Sequence, residues 1–141
     1  MHLVIAPPPS GAGFVRQRMV KSGSATVTNT PATVLGWASD MTDPAVVASD
    51  GMIISGAGTC SVSLNLVHNN WQPTVTTSIL LNGNPVGSAT SVANGFTNQL
   101  TTATVSGIVV ADGDRLSLRC GTGVLHASSV ESGGTVTVIP T

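Results

Sequence analysis

Charge is what this sequence has least of. Asp, Glu, Lys and Arg together make up 8% of its 141 residues, against roughly a quarter in an ordinary soluble domain. Tyrosine is absent, and the aromatics are Phe14, Trp37, Trp71 and Phe96. Each shortage excludes something. Five Lys and Arg residues are too few to neutralise a run of phosphates, and no aromatics are interleaved with them to stack on bases, so nucleic acid is not expected as a partner. No apolar run reaches the roughly 18–20 residues that cross a bilayer as a helix, so no membrane is expected either. Two cysteines, Cys60 and Cys120, do not make a disulfide framework, nor a zinc site without two further ligands. The histidines His2, His68 and His126 form no paired metal-binding spacing. A Gly-x-Ser-x-Gly elbow, a phosphate-cradling glycine loop and a dinucleotide fingerprint are all missing. No catalytic residue, cofactor or metal ligand is therefore assigned, and the chain is not expected to be an enzyme.

What is present is a polar but uncharged chain built on Ser, Thr, Asn and Gly, with 41% hydrophobic residues. That length fits one domain with a real core. Apolar residues recur with period two. In "TCSVSLNLV" the residues Cys60, Val62, Leu64 and Leu66 share one face while Ser61, Ser63 and Asn65 share the other, the pattern of a half-buried strand. "TVTTSILLNGNPVGSATSV" reads as a strand, an Asn82-Gly83 turn and a second strand, because Asn-Gly supplies the positive φ values of a tight hairpin. "SATVTNT", "TVLGW", "GMIIS", "QLTTATVSGIVV", "RLSLRC" and "GTVTVIP" add further short strands. The expected fold is all-β, an antiparallel sandwich of jelly-roll type over residues 24–141.

Ahead of it, "MHLVIAPPPSGAGFVRQRMVKSG" reads as an extended Pro/Gly-rich arm, residues 1–23, since three prolines break up its short apolar patch. Arg16, Arg18 and Lys21 give it a charge of +3, which suits docking onto a negative surface. These three, with Phe14, are the candidate partner contacts of the arm. Trp71, in the polar stretch "VHNNWQPT", is a candidate surface contact. Trp37 is expected in the core. Cys60 and Cys120 fall in the apolar phase of their strands and are expected as core thiols, with a disulfide between them left open.

"ADGDR", Ala111 to Arg115, has two readings. Asp112 and Asp114 suit a metal ion, but the other acids lack calcium-loop spacing. A corner between two strands accounts for Asp112, Gly113 and Asp114 together, with Gly113 at positive φ and the carboxylates in water, or that of Asp114 accepting from nearby backbone N–H groups to brace the turn.

Read together, "ISGAGTCSVSLNLV", "ILLNGNPV" and "GIVVADGDRLSLRC", with Trp37 upstream, resemble the jelly-roll domain of C1q and tumour necrosis factor. The matched positions are Gly58, Thr59 and Cys60, then Asn82 and Gly83, then Gly113, Asp114 and Leu116. Cys60 stands where that family has an aromatic, and Val110 where leucine is common. The resemblance spans residues 24–139 and implies a homotrimer. Domains of similar composition also resemble virion proteins of tailed bacteriophages. This implies a non-enzymatic head-decoration protein, assembled in the host cytoplasm, whose partners are itself and the phage major capsid protein or other virion proteins. A minor tail or tail-tip protein contacting the host surface and a carbohydrate-binding module are the alternatives.

Overall fold

Two antiparallel sheets face one another across an apolar core, as the alternation requires. The computed structural model describes residues 14–69, 74–91, 98–123 and 127–141. Among these there is no helix, and none therefore long and apolar enough to cross a membrane. The strands are β1 (Gln17–Lys21), β2 (Ala25–Val27), β3 (Ala32–Thr33), β4 (Trp37–Ser39), β5 (Val46–Ala48), β6 (Gly51–Ile53), β7 (Gly58–Asn69), β8 (Val75–Leu81), β9 (Asn84–Ser91), β10 (Asn98–Val110), β11 (Arg115–Thr122), β12 (Ser128–Val130) and β13 (Thr135–Pro140). The first sheet runs β2-β12-β7-β13-β1-β4, with β10 on the other edge of β7. The second runs β5-β6-β11-β8-β9, with β3 also against β11.

β7 is the axis of the first sheet. Its inward residues Cys60, Val62, Leu64 and Leu66 are buried against Ile79, Leu116 and Leu118 of the second sheet and their neighbours. β10 follows it from Asn98↔Asn69 to Val110↔Gly58, with a bulge between Val105 and Ile108. The extra residue resets the phase, so that Ile108 and Val110 face the core as β7 turns. On the open side of the sandwich β9 reaches β10 at Gly87. A β-carbon there would lie 2.4 Å from Val105 Cγ2, so only a residue without a side chain allows this approach. The β8–β9 hairpin turns on Asn82 and Gly83, at φ 51 and 83, the left-handed pair expected of Asn-Gly. "TVLGW", expected as one strand, is two. β3 pairs with β11 and β4 with β1, so the chain crosses from one layer to the other between them.

The arm expected over residues 1–23 is corrected in its second half. Gln17–Lys21 is β1, held between β13 and β4, and residues 1–13 lie outside the described residues. This strand shows no apolar period, because its inward face is Gln17, Met19 and Lys21, with polar residues at both ends. The structure meets their needs with backbone groups. Gln17 Nε2 donates to the carbonyls of Ser55 at 2.8 Å and Val15 at 3.1 Å, while its Oε1 accepts from the Ser55 N–H at 2.9 Å. Lys21 is 2% exposed. Its ammonium donates to the carbonyls of Ser22 and Gly23 at 3.0 Å and Gly36 at 3.2 Å, and lies 6.0 Å from the centre of the Trp37 ring. Burial pulls its pKa below the usual lysine value. Trp37, in the core as expected, donates Nε1–H to the Val34 carbonyl at 2.9 Å.

Lys21 ties the end of β1 to the segment before β4, and replacing it by an apolar side chain removes three charge-assisted hydrogen bonds to main-chain carbonyls. Lys21→Met should therefore lower stability by about 2–4 kcal/mol in urea unfolding. Arg16→Met, at an exposed position, should change it by less than about 0.5 kcal/mol.

Candidate functional site

The corner at 112–114 is the densest polar cluster among the described residues. Gly113 has φ +88, as the turn reading requires. Its N–H donates to the Ile54 carbonyl at 2.8 Å, and the Ile54 N–H donates to the Asp114 carbonyl at 2.8 Å. Both carboxylates are acceptors, Asp114 in the bracing role open to it and Asp112 beyond what is expected. Asp112 Oδ1 accepts from the Gly56 N–H at 2.7 Å. Asp114 accepts from the Ala111 N–H at 2.8 Å and from Asn82 Nδ2 at 3.0 Å, and these bonds hold its carboxyl below the ordinary carboxylate range. Asn82 Oδ1 accepts in turn from the Arg115 N–H at 2.9 Å. Arg115 Nη1 spans both oxygens of Asp50, each at 2.9 Å. The corner, the β8–β9 hairpin tip and the segment after β6 are thus latched together at one end of the sandwich. With their oxygens committed in this way, the two aspartates are bracing groups. Among the described residues no three His, Cys, Asp or Glu side chains converge as metal ligands would.

A second polar group lies inside the sandwich, formed by residues of three strands, β7, β8 and β11, with no shared motif. His68 Nε2 is 3.5 Å from Thr77 Oγ1, which is 3.1 Å from Cys120 Sγ. His68 and Thr77 are fully buried and Cys120 is 2% exposed. Burial pushes His68 down to about 4 and lifts the Cys120 thiol to about 11, so both are neutral at pH 7. A thiol in that state, closed to solvent, is no nucleophile. His68 Nδ1 and Thr101 Oγ1 are buried without a hydrogen-bond partner. Both cysteines are free and buried, as their apolar phase implies. Cys60 lies eight residues along β7 from His68, the neighbour of the Cys120 cluster. At about 3.3 Å per residue the two thiols are too far apart for a disulfide within the chain.

Of the candidate arm contacts, Phe14 is 8% exposed and belongs to the core, and Lys21 is the buried staple described above. Both are corrected as surface contacts, because Phe14 packs beside Gly58 in the core and β1 carries Lys21 inward. Arg18 is turned outward but engaged, with Nε donating to Thr137 Oγ1 at 3.0 Å and ion pairs of 4.0 and 3.7 Å to Asp40 and Asp43. Arg16 is exposed. Trp71 lies outside the described residues, as do His2, His126 and Phe96.

The outward face of the first sheet forms a polar, uncharged surface along β7, β10 and β13. β7, β10 and β13 together contain no Asp, Glu, Lys or Arg. Their outward positions are Ser61, Ser63, Asn65 and Val67 on β7, Leu100, Thr102 and Thr104 on β10, and Thr135, Thr137 and Ile139 on β13. Leu100 and Val109 stand 64% and 72% exposed on it. Cross-strand hydroxyls meet, with Thr104 Oγ1 donating to Ser63 Oγ at 3.5 Å.

No family model and no curated protein sequence matches the chain. Its fold does have solved counterparts. It is similar to the structure of Eiger TNF from S. frugiperda, with TM-score 0.70 and 10% identity over 92% of this chain and 93% of that one. It is similar also to murine APRIL, with TM-score 0.62 and 9% identity over 89% of this chain and 98% of that one. The fold is therefore a jelly roll of the tumour-necrosis-factor type.

Two pH responses follow. Between about 4 and the ordinary 6.5 the unfolded chain takes up a proton at His68 that the folded chain refuses. Stability should thus fall as pH falls through that window, by about 3 kcal/mol in all, and His68→Leu should abolish this slope. Asp114 acts lower. Its charge adds stability that is complete above the ordinary value of 3.8 and is lost as pH falls through the depressed folded value. Asp114→Asn should therefore be less stable than wild type at neutral pH and converge on it in acid, as pH falls below that depressed value, as followed by urea midpoints.

Proposed function

We propose that the chain is a non-enzymatic structural protein of a virion, a homotrimer that decorates and stabilises the head shell of a tailed bacteriophage by binding its major capsid protein. The observation that carries self-association is the absence of charge across β7, β10 and β13. A soluble sheet that stays monomeric ordinarily scatters lysines and glutamates over its solvent face to keep copies apart. Here that face offers hydroxyls and the exposed side chains of Leu100 and Val109, which suit burial against a second and third copy. The jelly-roll fold and the low-charge composition support the virion reading. With Arg18 and Lys21 engaged inside the protein, the arm's remaining basic contact is Arg16, beside the exposed Val15.

Light scattering at micromolar concentration should give three times the 14.1 kDa of one chain. Thr102→Lys puts charge at the middle of the face, and should yield a folded monomer whose circular dichroism matches wild type. A wild-type monomer would sink the trimer. Incubated with heads that lack it, the protein should bind in many copies per particle and raise the temperature at which the shell opens. Binding only to tails, in few copies, would replace decoration with a tail role.

A further inference from the structure

All six side-chain carboxylates of the chain are committed within it. Asp40 and Asp43 face Arg18, Asp50 holds Arg115, Asp112 and Asp114 brace the corner, and Glu131 accepts from Ser24 and Ser129. None reaches Arg119. Arg119 projects from the outward face of β11 in the middle of the second sheet, opposite Thr33 of β3 and Ser78 of β8, and it is exposed. Beside it lies a half-open cavity of about 180 Å³, lined by Pro31, Thr76, Ser78, Arg119, Gly121 and their neighbours. The cavity is built by close packing: a β-carbon on Gly121 would lie 3.0 Å from Pro31 Cγ, so the proline ring rests on bare backbone and walls the space. Hydroxyls continue across the sheet, because Ser78 is opposite Ser88 and Thr76 opposite Thr90.

From this geometry we infer that the Arg119 cavity binds an acidic monosaccharide unit through its carboxylate. The guanidinium fork takes two carboxylate oxygens side by side, and its charge has no counterpart inside the molecule. The surrounding Ser and Thr hydroxyls both donate and accept, as sugar hydroxyls do. The flat Pro31 and glycine wall suits the C–H face of a pyranose ring. Drug-sized ligands fill roughly 300–1,000 Å³, so this smaller space takes one ring and leaves the rest of a glycan outside. The cavity opens on the second sheet, away from the uncharged strands β7, β10 and β13 of the first, and binding there does not depend on assembly.

Sodium glucuronate, glucose and sodium sulfate, titrated separately into the 15N-labelled full chain, test this. Glucuronate should shift the amides of Ser78, Arg119 and Gly121 saturably, and glucose should bind at least about tenfold more weakly for want of the charge-assisted pair. Arg119→Gln should weaken glucuronate by at least about tenfold with an unchanged melting temperature, and Ser78→Ala by about threefold or more, one hydrogen bond's worth. The inference is overturned if glucuronate produces no saturable shift, if Arg119→Gln binds it as wild type does, or if Ser78→Ala leaves its affinity unchanged. Sulfate binding as tightly as glucuronate overturns it too, by showing an oxyanion site indifferent to the sugar.

Discussion

The antiparallel pairing of β7 with β10 is the constraint to which the rest of the structure answers. It spans both strands almost end to end and fixes at once which side chains enter the core and which form the outer face. β13 and β12 then complete the other edge of β7, so the backbone polar groups of its central stretch are paired on both sides, as burial in a sandwich demands. The bulge at the Val105/Ile108 step lets one long strand serve two requirements. Above it β10 lies flat against β7 and opposite Gly87 of β9; below it the strand turns so that Ile108 and Val110 close the core.

Around that frame the few polar and charged groups are spent on fastening. Buried Gln17 and Lys21 are satisfied by main-chain carbonyls, and neither has a charged partner. The aspartates of the corner accept from main-chain N–H groups. A protein with so little charge thus joins its loops mainly through side chain to backbone bonds, and the two ends of the sandwich are held in different ways. One end is latched by the corner and Arg115. Farther along β7 the interior holds the neutral cluster of His68, Thr77 and Cys120.

Much of the fold was legible because it is carried by alternation. β7, β8, β11 and β13 announce themselves by apolar residues at every second position, and Asn82-Gly83 names its own turn. β1 was not legible, since two of its three inward residues are Gln17 and Lys21, whose burial makes sense only once the carbonyls of Ser55 and Gly36 are brought to them by distant chain. β5 and β12 are three residues each, too short for a period to show. At the corner, the turn could be read from Asp112 and Gly113, but the Gly56 N–H that donates to Asp112 lies 56 residues away in sequence. The Arg119 cavity was hidden for the same reason. The outward phase of Arg119 is visible in "RLSLRC", whereas the packing of Pro31 on Gly121 depends on β3 crossing to β11.

The internal commitment of the carboxylates also bears on how fast this protein meets anything. Arg18 and Arg115 lie against the aspartates they pair with, the remaining charges are few and of both signs, and the chain carries a formal net charge of −1. It projects almost no field beyond a Debye length of about 8 Å in physiological salt. Encounter with a large partner is then a matter of unguided diffusion, in the range of about 10⁵–10⁶ M⁻¹s⁻¹ that neutral surfaces reach. Such rates vary little with ionic strength. Discrimination between partners falls to how long a complex lasts once surfaces have met, and so to the fit of hydroxyls and small apolar groups.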